Sequence, residues 1–151
     1  LLWADVEAAR AGMREGLQYA HIAKISAEEI DNVLLQGETI ADLWDAFPNL
    51  QLLCLTDGGK GATLYTRSGQ EHFEPGFKME TVDTTGAGDS FVAGMLVSIL
   101  EQGLTTPESL HNVNAAKLLR FANASGAMAT TRKGAIPALP TREVVDAFLD
   151  S

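Results

Sequence analysis

Cysteine is almost absent: Cys54 is the only one, so no intrachain disulfide can form. Such usage fits a reducing compartment. Cys54 lies in the apolar run Leu50–Leu55, where a buried, inert thiol is expected rather than a nucleophile. Basic residues are also scarce. Eleven Lys and Arg stand against 20 Asp and Glu, a net charge of −9. That balance argues against nucleic acid as a partner, because nonspecific binding depends on neutralising phosphates. An anionic ligand would have to be held locally, by backbone N–H groups and metal, against the overall field. Long hydrophobic runs are missing too. The longest, Phe91–Leu100, is interrupted by Gly94 and Ser98 and falls short of the roughly 20 residues a membrane span needs. No signal-peptide pattern, repeat or low-complexity tract is visible. The expected compartment is the cytoplasm. A plastid stays open, because the chain starts at Leu1 rather than Met, inside what reads as an ordered segment of something longer.

What is present suits one domain with a real core: 151 residues, 46% of them hydrophobic and 21% charged. Val6, Ala9, Met13, Leu17 and Ala20 recur at helical spacing, predicting a helix over Asp5–Ala20. His21–Ile25 reads as a short strand. Ser26 and Glu29 have capping-box spacing and open a helix to about Gln36, followed by another over Thr39–Phe47. Leu50–Thr56 is an apolar strand of the kind buried in a parallel sheet. After the loop Asp57–Gly61, a strand resumes at Ala62–Thr66, turns over Arg67–Gln70, and a strand-like alternation follows at Phe77, Met79 and Thr81. A strong helix is predicted over Asp89–Gln102, ended by Gly103. Pro107 suits the first turn of helical pieces running to about Ala129. Arg132–Pro140 reads as a loop, and Thr141 caps a last helix, Arg142–Leu149. Helices alternating with strands predict an α/β class with a largely parallel sheet.

The stretch that carries chemistry is Asp83-Thr84-Thr85-Gly86-Ala87-Gly88-Asp89-Ser90-Phe91. Gly86 and Gly88 let the backbone turn tightly and approach a ligand. The N–H groups of Ala87, Gly88 and Asp89 would then emerge from a helix N-terminus without internal acceptors, which makes an anion site. Asp89, beside it, can accept a proton. A base next to an anion hole is what phosphoryl transfer to an alcohol requires. A plain turn, with Asp89 as a helix cap, is the commoner meaning of such glycines in isolation.

As a whole, the string resembles the second signature of the PfkB carbohydrate kinase family, which includes ribokinase, fructokinase and adenosine kinase. The resemblance implies a ribokinase-like three-layer α/β/α fold, with residues 1–151 as a single domain forming its C-terminal half. It implies Asp89 as catalytic base, and Gly86, Ala87 and Gly88 as the hole for the transferring phosphoryl group. Lys24-Ile25-Ser26-Ala27-Glu28-Glu29 is similar to the fructokinase form of a segment that reads Asn-x-x-Glu in ribokinase, with Ser26 at the Asn position. It points to Glu29 as organiser of Mg²⁺ and phosphate through water; the capping box is the other meaning of that pair. Thr56-Asp57-Gly58-Gly59-Lys60-Gly61 resembles the turn beside the nucleotide, implying contacts from Thr56, Gly58 and Gly61, with Lys60 open as a solvated charge. Phe121–Ala127 is similar to the helix bordering the adenine, with Asn123 and Gly126 nearest; tight helix packing is the alternative for the small residues. Thr131–Pro137 resembles a loop that binds a monovalent cation. By that match K⁺ would be held by Asp83, Thr85, Ala129, Arg132 and Gly134, mostly through main-chain oxygens. Ala138 stands where ribokinase has a serine, which leaves the completeness of that site open.

The resemblance runs from Leu1 to Leu149 and is nearest to plant-type fructokinases. The implied reaction is ATP-dependent phosphorylation of a sugar hydroxyl, D-fructose before ribose or adenosine. The family's first half, with its sugar-binding residues and its lid, has no counterpart in this sequence. A homodimer of the full-length protein would use that lid. A noncatalytic kinase relative serving as a binding or scaffold module is the second reading.

Overall fold

In the computed structural model, residues 3–151 are described. The ordered start expected at Leu1 lies outside them. Four strands form one sheet in the order β1 (Ile22–Ser26), β2 (Leu52–Thr56), β3 (Gly61–Thr66), β4 (Glu71–Pro75). β1 and β2 run parallel, with Lys24 opposite Cys54; β2–β3 and β3–β4 are antiparallel hairpins. The α/β class is therefore borne out, but the sheet is mixed rather than largely parallel. The short loops 57–60 and 67–70 force it: a parallel connection needs a crossover, and only Ala27–Gln51, carrying α2 (Ile30–Val33) and α3 (Asp42–Ala46), is long enough.

Side-chain alternation sorts the strands onto two cores. Leu53 and Ile25 face one side and pack with Leu17 of α1 (Val6–Leu17), Val33, Leu43 and Phe47. Leu52, Cys54, Ala62 and Leu64 face the other and pack under Phe91, Met95 and Ile99 of α4 (Ala87–Glu101) and Leu118, Leu119 and Ala122 of α5 (Ala115–Ala129). Helix, sheet, helix is the three-layer arrangement. α6 (Arg142–Leu149) closes against the outer side, its Arg142 pairing with Glu101 of α4 and lying 5.3 Å over the Phe121 ring of α5.

α4 and α5 pack most intimately, because small residues face each other across the seam. A β-carbon on Gly94 would sit 2.6 Å from Ser125 Oγ and 3.1 Å from Ala122 Cα; one on Gly126 would sit 3.2 Å from the Ala87 carbonyl. Ser90 Oγ donates to the Ser125 carbonyl at 2.9 Å, tying the seam with a buried hydrogen bond.

Local differences from the sequence reading have physical causes. β4 was not foreseen, because Glu71-His72-Phe73-Glu74-Pro75 has no apolar alternation; its order comes from pairing with β3 and from Asn123. Phe77, Met79 and Thr81, expected as strand-like, lie in irregular chain and line a cleft instead. Ser26 and Glu29 do meet, but Ser26 donates both N–H and Oγ to Glu29 Oε2, at 3.1 and 2.7 Å, within a turn. The helix begins only at Ile30, with no side-chain cap, and ends at Val33 rather than near Gln36. Thr141 likewise precedes α6 without a side-chain capping bond. The helical stretch after Pro107 starts as a 3₁₀ segment, Pro107–Asn112, with Thr106 and Ser109 exchanging capping hydrogen bonds.

Candidate functional site

Where β1, the β2–β3 loop and the N-terminus of α4 converge, the surface opens into a cleft of about 710 Å³. Gly86 sets the entry to α4. It holds φ 83, a left-handed conformation that glycine adopts without penalty, and a β-carbon there would also press on Ala135 at 3.1 Å. The turn directs Ala87 and Gly88 into the cleft wall. The N–H groups of Gly88 and Asp89 find no acceptor among the described residues. That of Ala87, expected to be free, instead donates to the Thr84 carbonyl at 3.1 Å, so the candidate hole has two N–H groups rather than three. The helix dipole adds to their pull on an anion. Asp89 itself is exposed in the first turn of α4 and is not among the residues that line the cleft.

Lys24 was not singled out by the sequence reading, yet the structure places it here. Its Nζ lies 3.7 Å from where a β-carbon on Gly88 would be, and it makes no ion pair or hydrogen bond among the described residues. The signal was available: alternation along β1 puts Lys24 on the α4 face at the register of Cys54. Burial pushes the Cys54 thiol up to about 12 against the opposing charge of Lys24, so this cysteine is an inert core residue, as expected. A half-buried ammonium and two N–H groups, all without partners among the described residues, place positive charge at the α4 end of the cleft within an acidic protein.

Thr56, Gly58, Gly61, Asn123 and Gly126 all reach the cleft. Gly61 has a second reason to be small: at φ 125 its backbone abuts Glu74 and Gly76. Lys60 pairs with Asp57 at 2.9 Å, both exposed, which fits a solvated loop charge. Asn123, 7% exposed, donates Nδ2 to the carbonyls of Glu74 and Pro75 at 3.0 and 3.2 Å, leaving its Oδ1 for a ligand. Glu29 is not part of the cleft wall, although Ser26, Ala27 and Glu28 are. The hydrogen bonds from Ser26 Oγ and N–H, with help from the charge of Lys24, hold its carboxyl below the usual carboxylate range. It is ionised at neutral pH with one oxygen unengaged.

A second cluster forms around Asp83. Its Oδ2 accepts from Gly134 N–H at 2.9 Å, and its Oδ1 accepts from Thr85 N–H and Oγ1 at 3.0 and 2.7 Å. These bonds, led by that from Gly134, hold its carboxyl below the usual range. The backbone of Val82 and Asp83 is fixed by donating to the Thr130 carbonyl at the end of α5. Asp83, Thr85 and Gly134 are thus brought together. Ala129 is buried at the end of α5 and Arg132 is exposed; no hydrogen bond links either to Asp83.

Comparison with known proteins agrees with this geometry. The model of the pfkB family of carbohydrate kinases matches residues 2–142. Fructokinase-2 of Oryza sativa subsp. japonica is 40% identical over 154 aligned residues, covering 98% of this chain and 44% of the rice protein. Among solved structures, a fructokinase with bound ATP from Xylella fastidiosa superposes with a TM-score of 0.78 at 31% identity, over 99% of this chain and 48% of the other. A Vibrio cholerae fructokinase in a fructose, ADP and potassium ion bound form gives 0.75 at 31%, over 98% and 46%. The chain therefore spans less than half the length of the rice relative.

Proposed function

Because the chain belongs to the pfkB family of carbohydrate kinases, we propose that it is the nucleotide-binding and catalytic half of an ATP-dependent sugar kinase, with D-fructose as acceptor. The observation that carries this reading is the cleft itself: two N–H groups at the start of α4 and Lys24, all without partners among the described residues, with Asp89 exposed in the first turn of the same helix.

The residues divide the work by position. The triphosphate of ATP lies along the Thr56–Gly58 turn toward the N-terminus of α4. There Gly88 and Asp89 N–H groups and Lys24 bind the phosphoryl oxygens as charge develops on them. Asp89 takes the proton of the sugar hydroxyl as its oxygen bonds to the γ-phosphorus, and ADP leaves with the electrons of the broken P–O bond. The base of the nucleotide rests between Asn123, Gly126 and the 76–81 segment. Glu29 would hold Mg²⁺ through water, and that ion supplies neutralisation of phosphate charge. Asp83, with main-chain oxygens of Thr85, Ala129, Arg132 and Gly134, would hold K⁺ behind the hole. Both carboxylates offer the oxygen donors that hard cations take.

The experiment is a chimera joining this chain to the part of the rice fructokinase that it does not span. ATP-dependent phosphorylation of fructose is expected, and Asp89→Asn should lower kcat by roughly two to four orders of magnitude with little change in ATP affinity. Undiminished turnover in Asp89→Asn would remove Asp89 from the mechanism, and a folded chimera inactive on every sugar tried would sink the kinase reading.

A further inference from the structure

Residues 77–81 form one wall of the cleft, and no hydrogen bond holds them among the described residues. Their ends are held. At one end Asn123 donates to Glu74 and Pro75, and Gly76 N–H donates to the Lys60 carbonyl. At the other, Val82 and Asp83 donate to Thr130. Asn123 and Thr130 are seven residues apart, two turns of α5, so both tethers sit on one face of that helix. The wall is a short span slung along α5.

Between the tethers the span has one specific attachment. The ring of Phe77 meets Phe148 of α6 edge-on, with centroids 5.0 Å apart and an interplanar angle of 69°, and the Arg120 guanidinium lies 5.6 Å from its centroid. Phe77 also lines the cleft. Met79, Gly126 and Ala127, apolar or small, line the same cleft, as does Lys78 from within the span. An aromatic ring beside small and apolar residues suits a flat, weakly polar group.

Resting on the kinase reading above, we propose that Phe148 is a positioning residue for the nucleotide base: the last helix, outside the cleft, clamps Phe77 so that the unbonded 77–81 span presents a preformed wall to the purine. Without the clamp the span must be ordered on binding, and that cost falls on base recognition. The phosphate end is anchored separately by α4 and β1 and does not share it.

The test uses two probes on the 151-residue chain, ATP and inorganic tripolyphosphate, with affinities followed by amide NMR. The unaltered chain should bind ATP more tightly than tripolyphosphate. Phe148→Ala should weaken ATP by roughly threefold to tenfold, the worth of an aromatic pair, and leave tripolyphosphate unchanged. Phe77→Ala should do the same with α6 untouched, the double variant should be no worse than Phe77→Ala alone, and Phe148→Tyr should restore ATP binding. Equal weakening of both probes would make Phe148 a general prop of the fold and overturn the proposal. So would unchanged ATP affinity in both single variants. If Phe148→Ala fails to fold, Phe77→Ala and Phe148→Tyr decide alone. An unaltered chain that binds neither probe, or both equally, would overturn the underlying nucleotide reading instead.

Discussion

A lysine that is half-buried and unpaired costs more to hold than one in water, because its hydration is partly lost and nothing in the fold replaces it. Lys24 is in that position, with the free N–H groups of Gly88 and Asp89 as its neighbours, and an anion satisfies all three. Lys24→Met keeps the side-chain length and removes the charge. We expect it to weaken tripolyphosphate and ATP alike by about tenfold, the scale of a charge-assisted hydrogen bond, with thermal stability unchanged or raised. Titration of both probes checks this; unchanged affinity would mean that the ammonium points away from the phosphates. At this scale the sequence was legible wherever residue type and spacing define a chemistry. The Asp83–Asp89 string indicated the turn and the helix N-terminus. It did not show that Ala87 N–H would be taken by the Thr84 carbonyl, because a turn closing on itself depends on backbone angles that no side chain advertises. Nor did it separate the two roles of Asn123, whose partners lie 48 and 49 residues away in the chain.

Among elements, the α4–α5 seam depends on what is missing from it. Gly94→Ala would place a methyl 2.6 Å from Ser125 Oγ in a packed interface, so the helices must move apart. Overpacking of that kind costs about 1–3 kcal/mol. Urea unfolding should show that loss for Gly94→Ala and a partial recovery when Ser125→Gly is added. Full stability in the single variant would mean that the seam is looser than described. The opposite layer is fastened electrostatically. Arg14 of α1 forms a two-pronged pair with Glu38, at 2.7 and 3.1 Å, and Leu35 N–H donates to the same carboxylate. These contacts, the Arg14 bond first, hold the Glu38 carboxyl below its ordinary value. A depressed carboxyl stabilises the fold fully above its unfolded pKa of about 4.3 and loses that contribution as pH falls through the lower folded value. Acid unfolding of α1, followed by hydrogen exchange, should therefore steepen below about pH 4, and Glu38→Gln should be weaker at neutral pH but insensitive over that range. The helices α1, α4 and α5 were readable from apolar residues at helical spacing, and β2 from a continuous apolar run buried on both faces. β4 was not, since its pairing with β3 and the bonds from Asn123 hold it rather than its own composition, and α2, expected from the Ser26–Glu29 spacing, is shorter than that spacing suggests.

The whole molecule has an open side. Among the described residues β1 pairs only with β2, and on α4 the face turned away from α5 presents Leu96, Val97 and Leu100, the last 64% exposed. Asp89 lies seven residues before Leu96, on that same helical face. The proposed base thus sits on a helix face that nothing among the described residues covers. Phosphoryl transfer gains most from holding the acceptor in line and from excluding water, and both require walls on that side. The nucleotide end is different: β1, the β2–β3 loop, α4 and α5 all contribute to the cleft from within residues 24–130. The two functions should therefore separate. The 151-residue chain by itself is expected to bind ATP weakly and to transfer no phosphoryl group to fructose with Mg²⁺ and K⁺ present. The exposed apolar stripe should make it self-associate as concentration rises. Scattering over a concentration series and a coupled assay for ADP release check the two halves of the expectation. Turnover like that of a full-length fructokinase would place the acceptor site inside this chain, and the open side of α4 would then need another explanation.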